Sequence, residues 1–350
     1  MDISKIDKNF KVETNINRAD IKFYDVKEEP FKIYGVSYEN GYFRRMPQEV
    51  AKTVNEGVEA LNTNTAGGRI RFKTNSPYVA INTKINPSRM PHMAFTGIMG
   101  FDLYVKKNGE WIYINTFKPT VDVKDGYEGE IELGDKSDKE ILINMPLYCS
   151  VKELYIGLSE DAFVAEPETY KVQKPIVYYG SSITQGGCAS RPGTSYQALV
   201  SAKLDCDYIN LGFSGNARGE DEIAEYIANL DMSMFVYDYD HNAPSLEHLE
   251  STHERMFNII REKNPTLPIL ILSRPKYSLC NAEEERFEVI EKTYKNARIN
   301  GDENVYIIKG TKLMELVGYE GTVDNCHPND MGFYSMAQAL IPQIKMILGL

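Results

Sequence analysis

Pro175-Ile176-Val177-Tyr178-Tyr179-Gly180-Ser181-Ser182-Ile183-Thr184 is the stretch that decides the fold. The apolar run Ile176–Tyr179 stops on a glycine and two serines. A short apolar run bounded by turn residues suits a strand buried on both faces. The same pattern recurs downstream at Tyr208–Leu211, Met234–Tyr237, Ile269–Leu272 and Val305–Ile308. Helical patterns follow these runs at Ser195–Leu204, Asp221–Leu230, Leu246–Lys263, Ala282–Asn296 and Met331–Leu348. Strand and helix in alternation predict a parallel sheet covered by helices on both faces. In such sheets ligands bind beyond the carboxyl ends of the strands.

Upstream the rhythm is different. From about Arg69 to Ala165 the apolar period is two: Val79, Ile81, Thr83 and Ile85 alternate with Ala80, Asn82 and Lys84. Phe101–Val105 and Trp111–Ile114 flank Lys107-Asn108-Gly109, a hairpin signal. Ile141–Ile143 and Leu154–Leu158 read as further strands. Together they predict an antiparallel, jelly-roll-like sandwich. Gln48–Leu61 reads equally as a helix or an irregular strand, and the polar residues before about Phe31 as an arm. Glu166–Lys174 reads as the linker, giving domains at 1–170 and 171–350.

Composition narrows the partners. A net charge of -11 over 350 residues disfavours nucleic acid, which wants a basic face, and an anionic membrane surface. No apolar run is long enough to span a bilayer. Met1-Asp2-Ile3-Ser4-Lys5 opens without the apolar region of a signal peptide, so the expectation is a cytoplasmic protein, or a secreted one if a leader has been removed. Cys149, Cys188, Cys206, Cys280 and Cys326 are scattered and odd in number, which reads as free thiols. With no clustered Cys and His in the sequence, neither zinc nor any other metal is expected. The oligomeric state is not legible, and a homo-oligomer fits as well as a monomer.

Four short blocks fall at the ends of predicted strands or before the last helix. They are Gly180-Ser-Ser-Ile-Thr184, Gly212-Phe-Ser-Gly-Asn216, Asp240-His-Asn242 and Asp324-Asn-Cys-His-Pro328. Singly, each has an ordinary reading: a helix-capping serine, a turn glycine, a turn asparagine, a solvated aspartate beside a capping histidine. Jointly they supply what acyl transfer through a serine requires. Ser182 is a candidate nucleophile, which needs a base to accept its proton. Asp324 and His327, three apart in a turn, can present a carboxylate-oriented imidazole. The Ser182 and Gly215 N–H groups and the Asn242 amide are candidate donors to an oxyanion. His241 is a rival base, a substrate contact or a buried structural residue. Arg44-Arg45-Met46-Pro47 is a candidate to reach the site from the first half of the chain.

These blocks resemble those of the SGNH hydrolase superfamily, the GDSL-type esterases. The stretch Gly180–Gly193 and the motif Gly100-Phe101-Asp102-Leu103-Tyr104 resemble one branch, in which a β-rich Gly-x-Asp-Leu-Tyr domain precedes the hydrolase. The resemblance implies a flavodoxin-like three-layer α/β/α hydrolase domain after the β-sandwich. It implies catalysis by Ser182, Asp324 and His327, an oxyanion hole of Ser182, Gly215 and Asn242, and no cofactor. Two positions depart from the pattern: Ser181 stands where an aspartate is usual, and His241 and Ala243 flank Asn242 in place of Gly-x-Asn-Asp. The implied activity is hydrolysis of small acyl esters, acetyl esters of carbohydrates above all. The competing expectations are a glycan-binding protein on a degenerate hydrolase scaffold, and a phosphate or flavin binder using Gly180–Thr184.

Overall fold

The computed structural model describes residues 12–350. Val172–Gly180 lies inside a five-stranded parallel sheet, between Cys206–Gly212 and Met234–Asp238, with Ile269–Leu272 and Val305–Ile308 beyond. Numbered along the chain, the strand order is 2-1-3-4-5, the flavodoxin-like arrangement. The first strand ends at the point where the connections change direction, which is where such sheets bind ligands.

The strands alternate sides, and each side joins a different core. Ile176, Tyr178, Met234, Val236, Leu270 and Leu272 pack with residues of the helices Tyr196–Leu204 and Asp330–Leu348. Val177, Tyr179, Phe235, Tyr237, Ile269 and Ile271 pack with the helices Asp221–Ala228, Leu246–Lys263 and Asn281–Ile299. Both faces are thus covered, which explains why these strands read as continuous apolar runs.

The preceding region is built on two larger antiparallel sheets, with the short hairpin of Ser37–Glu39 and Tyr42–Arg44 as a third. Tyr78–Asn86 pairs with Ser150–Ser159 and Gly126–Glu132, and Arg69–Thr74 with Lys139–Asn144, which in turn pairs with Phe101–Lys107. Val79 and Ile81 of one sheet share a core with Ile70, Phe72, Ile141 and Ile143 of the other. That core is continuous with one face of the parallel sheet. The hairpin turns at Asn108 and Gly109, both with positive φ (52° and 82°), as an Asn-Gly turn demands. Part of the expected arm is instead an edge strand, Ile21–Asp25, paired with Ser150–Ser159; residues 1–11 of that arm lie outside the described residues. The ambiguous segment is two helices, Gln48–Val54 and Glu56–Leu61, broken where extended Asn55 accepts the Val58 N–H and caps the second.

One buried histidine links this packing to pH. His253, with no exposed surface, stacks on Tyr237 at 4.5 Å and holds Thr293 Oγ1 at 2.8 Å, while its Nε2 has no partner. Burial pushes its pKa down from 6.5 to about 3. Between those values the unfolded chain binds the proton and the folded one does not, so stability falls as pH falls. Urea unfolding should show a loss of about 2 kcal/mol between pH 6.5 and 4.5. His253→Phe should flatten that slope; parallel slopes would assign it elsewhere.

Candidate active site

Ser182 sits at the carboxyl edge of the sheet because two glycines let the chain turn there. Gly180 ends the first strand level with Gly212 and Asp238 of its neighbours. A Cβ on Gly180 would stand 2.2 Å from Thr184 Oγ1 and 2.3 Å from the Asp238 carbonyl; one on Gly212 would stand 2.1 Å from the Gln185 backbone nitrogen. Both close approaches require glycine. Ser181 is the helix cap, its Oγ accepting the Ile183 N–H at 3.2 Å. Ser182 is therefore not the capping residue. It opens the one-turn helix Ser182–Gln185, where its own N–H has no intrahelical acceptor. Gly187 N–H and Tyr148 OH hold its carbonyl at 2.8 and 3.1 Å.

The last block folds back onto this serine. Asp324 Oδ1 accepts the backbone N–H groups of Cys326 and His327 at 3.1 and 2.8 Å, and Asn325 takes the left-handed conformation (φ 62°). The Val323 N–H donates to the His327 carbonyl at 2.9 Å and closes the turn. Asp324 Oδ2 lies 2.8 Å from His327 Nδ1, and His327 Nε2 lies 3.0 Å from Ser182 Oγ. A proton on Nδ1 directed at Asp324 leaves a lone pair on Nε2 facing the hydroxyl. Partial burial opposes ionisation of Asp324, but the His327 and Cys326 donors outweigh it and hold the carboxyl below its ordinary range.

The second and third blocks border the same edge. Phe213 N–H donates to the Gly180 carbonyl at 2.8 Å, and Asn216 N–H to the Phe213 carbonyl at 2.9 Å. Gly215, at φ 71°, has open space where a side chain would stand. Gln185 fixes this turn: its Oε1 accepts the Ser214 N–H at 3.0 Å, and its Nε2 donates to Leu147 O and Asn64 Oδ1. Asn242 Oδ1 accepts the Ala217 N–H at 3.4 Å, which leaves its NH2 as the end free for a ligand. His241 is not served by Asp240. That carboxylate is taken by Arg274 and Arg286, which, against burial, hold it well below the usual range. Burial, with Arg274 and His327 nearby, pushes His241 down to about 4, so it is neutral near pH 7.

Several contributors carry no motif. Asp238 closes the third strand and accepts from Thr184 Oγ1 and Tyr196 OH at 2.8 and 3.1 Å behind the Ser182 turn. Arg45 does reach the site from the β-rich half, but from beneath. Fully buried, it donates to the carbonyls of Gly212 and Leu61 and lies 4.5 Å from the Phe213 ring. Burial without a carboxylate lowers its pKa to about 9. Asp102 of Gly100–Tyr104 accepts from Arg191 Nη1, Gly193 N–H and Asn144 Nδ2, each at 2.8 Å, and so ties the β-rich region to the loop after Ser182. His92, without a role in the sequence, brings its ring centroid within 5.4 Å of that of His327. Cys and His, scattered in the sequence, do come together at one place in the fold. His92, Cys188 and His327 place ligand atoms within 4.8 Å of one another, a grouping of positions 92, 188 and 327 that only the fold creates.

Residues 173–345 match the family described as GDSL-like lipase/acylhydrolase, and residues 21–164 match the GxDLY N-terminus of SGNH-hydrolase-type esterases. A solved structure from Bacteroides ovatus ATCC 8483, described as a GDSL-like lipase, is 32% identical with a TM-score of 0.85, over 94% of this chain and 98% of that one. The chain belongs to the GDSL-like lipase/acylhydrolase family. This GDSL-family chain is accordingly an ester hydrolase, with the β-rich region followed by the α/β domain. Two more distant structures share the fold. The salicylyl-acyltransferase SsfX3 of a tetracycline biosynthetic pathway is 20% identical, with a TM-score of 0.77 over 95% of this chain and 99% of that one. An acetyl xylan esterase from the rumen bacterium Butyrivibrio proteoclasticus is 14% identical, with a TM-score of 0.61 over 94% and 99%. No curated protein sequence matches this GDSL-family chain.

Proposed function

We propose that this ester hydrolase is a serine esterase that removes small acyl groups, acetyl above all, from carbohydrate esters. The observation that carries the reading is the line Ser182 Oγ, His327 Nε2, His327 Nδ1, Asp324 Oδ2, with contacts of 3.0 and 2.8 Å. Ser182 Oγ attacks the ester carbonyl while His327 Nε2 takes its proton. The tetrahedral oxyanion is held by the Ser182 and Gly215 N–H groups and the Asn242 NH2. Collapse expels the alcohol, which leaves with the proton from His327. Water, deprotonated by the same nitrogen, then releases the acid and frees Ser182. Asp324 keeps the Nδ1 proton in place throughout and stabilises the imidazolium. Neither a metal nor a cofactor has a part in these steps. The carbohydrate and the acetyl group are drawn from the acetyl xylan esterase that shares the fold.

The test is initial-rate hydrolysis of 4-nitrophenyl acetate beside butyrate and octanoate, and of acetylated xylo-oligosaccharides. Activity falling with acyl length and acetate release from the oligosaccharides are expected; preference for octanoate would remove the acetyl reading. Asn242→Ala should lower kcat on the order of 10²–10³-fold with folding intact. An unchanged kcat would take Asn242 out of the oxyanion hole.

A further inference from the structure

We propose that His92, Cys188 and His327 form a binding site for a thiophilic divalent cation such as Zn²⁺, and that occupancy switches the esterase off. The inhibitory half rests on the reading of His327 as the base. The three residues come from three separate parts of the fold: a loop of the β-rich region, the loop after the Ser182 helix, and the Asp324–His327 turn. Their ligand atoms already lie within 4.8 Å of one another. Tetrahedral zinc, with bonds of about 2.0–2.3 Å, holds its ligands about 3.5 Å apart. Closing the remaining ångström falls to His92, whose side chain is exposed on its loop and not locked in the core. Two imidazoles and a thiolate are a donor set that zinc and its softer neighbours prefer.

The surroundings favour a cation. Cys188 is nearly buried, and its Sγ lies 3.5 Å from the His92 carbonyl. The Asp324 carboxylate, bonded to His327 beside the cluster, supplies a negative charge that favours a metal ion, and coordination replaces the thiol proton: M²⁺ + Cys–SH gives [M–S–Cys]⁺ and H⁺. Asp324 holds His327 Nδ1, so Nε2 is the nitrogen left to the cation. Nε2 is also the atom that faces Ser182 Oγ. A metal there occupies the lone pair that would take the serine proton, while Asp324 orients the metal-bound imidazole from behind. The arrangement predicts reversible inhibition that chelators relieve.

The probe is Co²⁺ followed by absorption spectroscopy, with Zn²⁺ as competitor, on the full chain freed of metal by chelation. One equivalent should bind with a thiolate-to-cobalt charge-transfer band, and esterase activity should fall with the same midpoint and return with EDTA. Cys188→Ser should remove the band, and the exposed His92→Ala, which spares the buried packing, should weaken binding on the order of 10²-fold. No charge-transfer band in the wild type, or unchanged affinity in both variants, would overturn the site. Binding that leaves the esterase rate untouched would overturn the inhibitory half and count against His327 as the base. Loss of inhibition in His92→Ala, with its uninhibited rate measurable, would support both.

Discussion

Ser182→Ala is expected to lower kcat for 4-nitrophenyl acetate on the order of 10⁴–10⁶-fold while the protein keeps its fold and thermal midpoint. The size follows from the unit to which the hydroxyl belongs. On the proposed mechanism, removing the nucleophile leaves His327 and Asp324 with nothing to activate, and what survives is the contribution of binding and oxyanion donors. Folding is spared because Ser181, not Ser182, provides the helix cap, and because alanine fits the first position of the Ser182–Gln185 turn. A variant that folds and retains more than a tenth of the wild-type rate would remove Ser182 from the mechanism. The kcat of Asp324→Asn should fall between those of the wild type and Ser182→Ala, since Nδ1 loses its carboxylate but Nε2 still stands 3.0 Å from Ser182 Oγ in the parent geometry.

Asp102→Ala should destabilise the fold by about 3 kcal/mol, measured by urea unfolding. Asp102 has no exposed surface and is the shared acceptor of Arg191, Gly193 and Asn144. Burial works to raise its pKa, and these donors are what allow a carboxylate there. Removing it leaves the Arg191 guanidinium and the Gly193 N–H without their acceptor. The cost stays at the lower end of the range for a broken buried pair because Arg191 keeps 21% of its side chain in water. The damage should reach the active site too. Ser190 and Thr194, on the loop that Asp102 anchors, bond the Asp330 carboxylate, and Asp330 opens the helix that follows His327. Combining Asp102→Ala with Arg191→Ala should cost less than the sum of the single losses, since the second change removes the stranded charge. Strict additivity would mean the pair does not act as a unit.

The parallel sheet was legible because helices cover both its faces and the apolar runs Ile176–Tyr179 and Ile269–Leu272 are buried throughout, so that they mark their strands directly. The four blocks were legible for a related reason: chemistry in this fold gathers at strand ends, and strand ends carry turn residues. Gln48–Leu61 stayed ambiguous because its two helices span only seven and six residues, too short to establish a period. The edge strand Ile21–Asp25 hid among polar neighbours because only Phe23 of its residues is buried. Contacts between distant positions had no local signature at all. Gln185 reaching Asn64, Arg45 lying under Gly212, and His92 meeting His327 exist only once the two regions pack together. In the sequence Arg45 stands out only as one of a pair of arginines, and its place beneath the Gly212–Gly215 turn depends on burial that charge alone would argue against.

The most direct test of Ser182 as the nucleophile is a rapid-quench experiment with 4-nitrophenyl acetate, followed by mass spectrometry of the digested protein. The expected result is a burst of about one equivalent of 4-nitrophenol and one acetyl group on the peptide carrying Ser182, with neither in Ser182→Ala. Turnover that leaves Ser182 unmodified at every quench time, or an acetyl group on another residue with the same kinetics, would contradict it.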